Sequence, residues 1–198
     1  MLRRRQQGVS LIELMVGISI VAFLLAAGMP SFTRWLQDAQ NRAAAESLLN
    51  GLQLARMESL RRNAQVNFTL TDKDGKVAWT VGCKAPHADC PAAIQSRSAR
   101  EAGEGPRLGV NKDVLAPPIP PGTFDAALEP GSGLLASVTF DSLGRAPGAG
   151  NGKDITRIDV TNPRQANARR YVVTINVGGQ VRMCDPALAL AKDPQGCS

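Results

Sequence analysis

The sequence predicts an α+β protein in which one long N-terminal helix is followed only by strands. An apolar run over residues 9–29 passes directly into an amphipathic stretch that ends near residue 62. Beyond residue 64, short segments alternate apolar and polar side chains and are separated by glycine-rich or aspartate-rich turns. At 198 residues, the chain is long enough for one globular domain with a buried core plus an appendage.

The apolar run is long enough to cross a membrane. Its 21 residues, 9–29, would span about 30 Å as a helix, which matches the hydrocarbon core of a bilayer. Arg3, Arg4 and Arg5 precede it, so we expect the N-terminus to lie in the cytoplasm. They supply half of the net charge of +6. A cleaved signal peptide, or a plain signal anchor for a periplasmic domain, is the alternative interpretation.

Glu13 argues against an ordinary signal peptide. A carboxylate inside a membrane helix costs on the order of 2.5 kcal/mol or more unless it has a partner. The arginine-containing leader also ends in Gly8, before the apolar run, and no convincing small-x-small cleavage site follows that run. The sequence therefore favours an apolar helix whose single carboxylate is paired in some later state.

Residues 8–14, GVSLIEL, resemble the leader junction of type IV pilins and type II secretion pseudopilins. The resemblance implies that a prepilin peptidase cleaves after Gly8 and methylates Val9, the new N-terminus. Val9 departs from the usual phenylalanine or methionine. Glu13 would pair with the N-terminal amine of a neighbouring subunit, so its burial cost would be offset only upon assembly.

Residues 31–62 are predicted to continue the same helix with one face packed on a globular head. Pro30 removes a helix hydrogen bond, so we expect a kink or a melted turn at Gly28 and Pro30, where the pilin family also has a proline. Asn63 is a plausible end, and Phe32 and Trp35 are predicted interfacial anchors. The apolar side chains that recur at three-to-four spacing are Phe32, Trp35, Leu36, Ala39, Ala43, Leu48, Leu49, Leu52, Ala55, Met57 and Leu60.

The rest of the chain is predicted to form strands and turns. A proline-rich and glycine-rich stretch at residues 101–133 is predicted to be a long loop, and its polyproline piece a stiff connector or a docking segment. Residues 148–152 are a turn that lacks the lysine of a phosphate loop. The predicted strands are residues 65–71 and 77–82, which form a hairpin, then 108–110, 134–141, 155–161, 169–177 and 180–184.

The four cysteines form two close pairs in the sequence, Cys83 with Cys90 and Cys184 with Cys197. Neither has the spacing of a zinc knuckle on both sides, and His87 is the only histidine. Since the N-terminus is of an export type, we expect two disulfides rather than a metal site. The first would close a small surface loop that holds His87, and the second would fold back the C-terminal tail.

The head resembles the GspH/FimT group of minor pilins and pseudopilins at residues 140–145, FDSLGR, and at residues 170–184. The resemblance implies a pilin-like fold, with the long helix packed on an antiparallel β-sandwich head of two sheets. The domains would be a leader peptide at 1–8, a transmembrane helix at 9–30, its amphipathic half at 31–64 and a β-rich head at 65–198.

Some members of this group resemble DNA receptors for natural transformation and carry a glycine-arginine-x-arginine turn. Here Gln180 replaces the first arginine of that turn, and Arg182 remains. Residues 155–198 carry six basic side chains against three acidic ones, which would suit a weak, salt-sensitive phosphate contact. The predicted DNA-contacting side chains are Arg182, Arg169, Arg170 and Arg164; a solvated strand face is the alternative.

The sequence thus predicts a minor pilin that joins and helps prime a type IV pilus near the filament tip. A minor pseudopilin of a type II secretion system and a DNA-binding minor pilin are the alternatives. Expected partners are other minor and major pilins, the prepilin peptidase and the inner-membrane assembly platform. We expect a single-pass inner-membrane protein with a periplasmic head, extracellular after pilus assembly. We expect no enzymatic activity, cofactor or metal, because no catalytic constellation occurs in a plausible context.

Overall fold

The computed structural model describes residues 10–101, 103–165 and 167–197, except for the side chains at 27, 28 and 30. The predicted cleavage residues Gly8 and Val9 lie outside the described residues. The chain divides into two compact units, one ending at Leu36 and the other formed by Gln37–Ser198. The boundary falls inside the long helix, so the helical residues from Gln37 onward belong to the head.

The predicted long helix is present as α1, Leu11–Arg62, with 52 residues. It is continuous through residues 28–30, so the structure shows no melted turn there, and a bend at Gly28 and Pro30 stays a prediction. Asn63 ends the helix with a φ of +48°, and Ala64 N donates to Ser59 O at 3.2 Å. Asparagine tolerates this left-handed conformation better than most residues, which explains why the helix ends here.

The face of α1 that packs on the head is narrower and more polar than predicted. Ala39, Ala43, Met57 and Leu60 of the predicted stripe are exposed, so their assignment to the packed face was wrong. A methyl group on Gly51 would lie 2.8 Å from the Phe68 ring, which shows that small residues let the sheet approach closely. The side chains that α1 buries are Asn41, Ala44, Ala45, Ser47, Leu48, Leu52, Ala55 and Ser59.

Eight described strands form two four-stranded antiparallel sheets. The first has the order β3-β2-β1-β5, and the second has the order β4-β6-β7-β8. A short 3-10 helix, Pro147–Gly150, follows β5 where the sequence indicated only a turn. The strands are β1 Val66–Leu70, β2 Trp79–Cys83, β3 Gln95–Arg97, β4 Arg107–Asn111, β5 Ser137–Phe140, β6 Arg157–Thr161, β7 Tyr171–Ile175 and β8 Val181–Cys184.

β3 was not predicted from the sequence, whereas the structure confirms the other predicted strands to within a few residues. β3 is a three-residue edge strand whose side chains are exposed or half-buried, so it shows no apolar alternation. The predicted β1–β2 hairpin forms, and in it Phe68 lies opposite Val81. The β7–β8 hairpin also forms, with Gly179 at a φ of +76° in its turn.

A single main core lies between the two sheets and α1. It contains Leu48 and Leu52 from the helix, Phe68 from the first sheet and Ile158 from the second. The predicted sandwich head is therefore confirmed. A smaller cluster of Phe124, Val172, Cys184 and Cys197 lies on the second sheet, against Leu115 and Ile119 of the long loop.

Both predicted disulfides are formed. The Cα atoms of Cys83 and Cys90 are 5.7 Å apart, and those of Cys184 and Cys197 are 5.0 Å apart. His87 exchanges two backbone hydrogen bonds with Cys90, each 2.9 Å long, so it is part of the loop closure. The second disulfide joins the C-terminal tail to β8, as the sequence indicated.

Candidate functional site

The N-terminal part of α1 presents apolar side chains on every side. The described side chains from Leu11 to Ala26 are exposed, including Leu11, Phe23 and Leu25. Among the described residues, one helix is long and apolar enough to cross a membrane, and its most apolar 18-residue window is 0% buried. A helix that is apolar all round needs lipid or other helices as its surroundings.

Glu13 lies in the first turn of this helix and is exposed. Ser10 precedes the first helical residue, Leu11, and its carbonyl accepts a hydrogen bond from Leu14 N at 3.1 Å. A carboxylate near a helix N-terminus is favoured by the helix dipole. By contrast, the hydroxyl of Ser19 donates to Met15 O at 2.8 Å within the helix, so it needs no outside partner.

The turn after β5, residues 141–145, is organised by the Asp141 carboxylate. Its Oδ1 atom accepts hydrogen bonds from Leu143 N at 3.0 Å and from Arg145 N at 2.9 Å. Its Oδ2 atom pairs with the Arg145 guanidinium at 2.8 Å. Burial raises the pKa of Asp141, but these hydrogen bonds from the Arg145 and Leu143 backbone and the Arg145 side chain outweigh it and lower the pKa overall. The predicted family motif is thus a self-capped turn.

Two glycines bring this turn against the β7–β8 turn. Gly144 and Gly179 have φ angles of +70° and +76°. A methyl group on Gly179 would lie 1.9 Å from Gly144 O, so the two backbones touch at a place where no other residue fits. Arg56 of α1 donates from Nε to the same Gly144 oxygen at 3.1 Å. Three elements therefore meet at one point, and both family motifs contribute to it.

Arg170, one of the predicted DNA contacts, is engaged inside the protein. Its guanidinium donates to Asp159 Oδ2 at 2.6 Å and to the carbonyls of Phe124 and Asp125. Arg157 binds the same carboxylate through two nitrogens, at 2.7 and 2.8 Å, and its guanidinium lies 5.2 Å from the Phe124 ring centroid. These side chains hold the loop around residues 123–128 on the second sheet.

The other three predicted arginines also have protein partners. Arg169 pairs with the buried Asp185 carboxylate, and this hydrogen bond raises the pKa of Arg169. Arg182 donates to Pro194 O at 3.0 Å and to Gly196 O in the tail. Arg164 lies 3.6 Å from Glu104, and both side chains are exposed. The four arginines do not form one unpaired cationic surface, and their contact with DNA stays a prediction.

The sequence pattern did not predict the ion-pair network of Arg157, Asp159 and Arg170. Arg157 and Asp159 lie two residues apart on β6, so both side chains point to the same face of the sheet. That face is covered by the long loop, which the alternation of apolar residues could not reveal. An opposite-charge pair at this spacing in an otherwise apolar strand is the signal that could have found it.

The comparisons with known proteins agree with the predicted family. The family model described as Type II transport protein GspH matches residues 44–179, and the model described as Prokaryotic N-terminal methylation motif matches residues 3–29. No match was found among curated protein sequences.

Two solved structures are among those that the chain resembles. The type IV minor pilin FimU of Pseudomonas aeruginosa is 20% identical, with a TM-score of 0.44, over 79% of this chain and 99% of that one. The minor pseudopilin EpsH of Vibrio cholerae is 15% identical, with a TM-score of 0.47, over 75% of this chain and 99% of that one. Since the first family model spans more than half of the sequence, the chain belongs to the GspH family.

Proposed function

We propose that this protein is a minor pilin that joins a type IV pilus and helps prime its assembly near the filament tip. A prepilin peptidase cleaves the chain after Gly8 and methylates Val9. The mature protein is held in the inner membrane by the N-terminal half of α1, with its head in the periplasm, until it joins other pilins through the assembly platform. This role is structural and needs no catalytic residue in the chain.

One observation carries the proposal: α1 exposes an apolar segment that contains a single carboxylate, Glu13, near its N-terminus. In lipid, that carboxylate is costly without a partner. In an assembly of such helices, the N-terminal amine of a neighbour at the same depth would neutralise it. The pairing would therefore favour the assembled state over the single membrane-inserted chain.

Replacing Glu13 tests the proposal. Cells that produce Glu13→Gln are expected to keep the protein in the membrane, because an amide is tolerated there better than a charge. Incorporation into sheared filaments should fall by at least about tenfold, since the ion pair is lost. Ser10→Ala, next to the same helix start, is the control and should be incorporated normally. Normal incorporation of Glu13→Gln would contradict the proposal.

A minor pseudopilin of a type II secretion system is the second candidate. The description of the matching family, Type II transport protein, favours it. The two candidates share the same processing and helix packing, so they differ in the system that the chain serves. Deletion of the gene, followed by measurement of twitching motility and of enzyme secretion in the same strain, separates them.

A further inference from the structure

Exposed apolar side chains gather where α1, the turn after β5 and the β7–β8 turn meet. Leu60, Leu143 and Val177 are each about half exposed or more. A methyl group on Gly144 would lie 3.2 Å from Leu60 Cγ, which places Leu60 next to the turn that carries Leu143. Val177 O accepts a hydrogen bond from Ala146 N at 3.0 Å, which joins the backbone of Val177 to the residue that follows the same turn. We call these three side chains the junction surface.

Apolar residues are unusual at these positions. Turns are generally occupied by glycine, proline, asparagine, aspartate and serine. Leu143 lies inside the turn capped by Asp141, and Val177 directly precedes Gly178 and Gly179 in the hairpin turn. Neither side chain contributes to the main core, so folding of the head does not account for them.

The rim of the junction surface is positively charged. The side chain of Arg61 is 65% exposed while that of its partner Glu58 is 12% exposed. The side chain of Arg145 is 59% exposed while that of Asp141 is 16% exposed. Both ion pairs therefore present the guanidinium to solvent and turn the carboxylate inward, so a molecule that approaches this surface meets cations around an apolar centre.

We propose that the junction surface is a docking site for another protein subunit, whose contact face is apolar at its centre and carries carboxylates around it. The inference rests on the proposed function as an assembled subunit. An apolar centre with a charged rim is the usual anatomy of a protein–protein contact, and charge complementarity selects an acidic partner. A single-stranded nucleic acid would instead need aromatic side chains on which its bases stack.

Site-specific photo-crosslinking tests the proposal in cells that assemble filaments. Benzoylphenylalanine replaces Leu143 in the full-length chain, and in the matched control it replaces Leu135. The two side chains are similarly exposed, at 64% for Leu143 and 62% for Leu135. Leu135 precedes β5 and Leu143 follows it, so the two probes sit at opposite ends of one strand. We expect one filament subunit to be captured at position 143 and not at position 135.

The charged rim provides the second arm of the experiment. The double variant Arg61→Gln, Arg145→Gln should lower the yield of the crosslinked product about fivefold, equivalent to about 1 kcal/mol. The double lysine variant should restore most of the yield, because it keeps the charges. The captured subunit should carry aspartate or glutamate at the crosslinked face, and replacing those residues by asparagine or glutamine should reduce the yield to the same extent.

The outcomes that overturn the proposal are distinct from those that overturn the proposed function. Equal yields at positions 143 and 135, a yield insensitive to both arginines, or capture of DNA or lipid would each contradict the docking site. A second probe at Val177 and gel mobility with both disulfides intact show whether the head is folded. Failure of the unsubstituted chain to enter filaments contradicts the proposed function, whereas normal entry without capture at 143 and 177 contradicts the docking site alone.

Discussion

Asp159 is fully buried, and its carboxylate accepts hydrogen bonds from two guanidinium groups, those of Arg157 and Arg170. Its Oδ2 atom also accepts from Leu128 N at 3.1 Å. Both guanidinium groups reach onward to backbone carbonyls of the long loop, so one carboxylate organises the contact between this loop and the second sheet. A buried carboxylate with this many partners destabilises the protein when some of those partners are removed.

Asp159→Ala should therefore destabilise the protein by about 3–5 kcal/mol, because the buried guanidinium of Arg157 and the partly buried guanidinium of Arg170 lose their counter-ion. The matched control is Glu104→Ala, which removes an exposed carboxylate 3.6 Å from Arg164 and should change stability by less than about 1 kcal/mol. Denaturant unfolding of the full chain in detergent measures both. Equal stability of the two variants would show that the buried network contributes nothing.

Substitution of Arg182 tests whether this side chain has a structural role or contacts DNA. Because its guanidinium donates to two tail carbonyls, Arg182→Ala should loosen residues 185–196 and cost about 1–2 kcal/mol. Hydrogen exchange of the tail amides measures this. An unchanged tail, together with a weaker shift of duplex DNA at low salt, would instead support the hypothesis of DNA contact.

At the scale of elements, close approach of backbones explains the family motifs better than side-chain chemistry does. The β5 turn, the β7–β8 turn and α1 touch through Gly144, Gly179 and Arg56. Such a contact cannot be detected in the pattern of apolar residues. The motif is visible in the sequence, but the backbone contact that explains it is visible only in the structure. The same limit explains why β3 was missed, since an exposed three-residue edge strand has no periodicity to detect.

Gly179→Ala should lower the stability of the protein by more than the strain of a positive φ alone. A methyl group there would meet Gly144 O at 1.9 Å, whereas a methyl group on Gly131, at a φ of +86°, meets nothing within 4 Å. We expect Gly131→Ala to cost about 1 kcal/mol of strain and Gly179→Ala at least about 2 kcal/mol. Thermal unfolding of the two variants measures the difference. Equal costs would mean that the two turns do not touch in solution.

At the scale of the whole molecule, the helix, most of the strands and the two disulfides could be predicted, because each leaves a local pattern in the sequence. The sandwich was predicted from the family resemblance. The depth at which α1 packs against the sheets could not be predicted. Its buried face depends on small residues such as Ala44, Ala45 and Gly51, which carry almost no hydrophobic signal. The arginines near the C-terminus were predicted as candidate contacts, but their partners come from a distant loop and the tail, which pattern alone does not bring together.

Acid should destabilise the head through Glu58 and Asp141. The Arg61 hydrogen bond lowers the pKa of Glu58 against the opposing effect of burial, and the pKa of Asp141 is also lowered. A lowered folded-state pKa contributes stability above the unfolded value, which is about 4 for these carboxyls, and this stability is lost as pH falls through the folded-state pKa. The loss is measured as the change in unfolding free energy between pH 6 and about pH 3. In the double variant Glu58→Gln, Asp141→Asn, the unfolding free energy should depend less steeply on pH.

The intact mass of the protein recovered from sheared filaments tests the central claim most directly, since processing and assembly are then observed on the same molecules. The account predicts that this chain is present in the filament fraction, begins at Val9 and carries one methyl group on its N-terminal amine. A chain that begins at Met1 or at any residue other than Val9, or one that stays in the membrane fraction of cells with normal filaments, would contradict it.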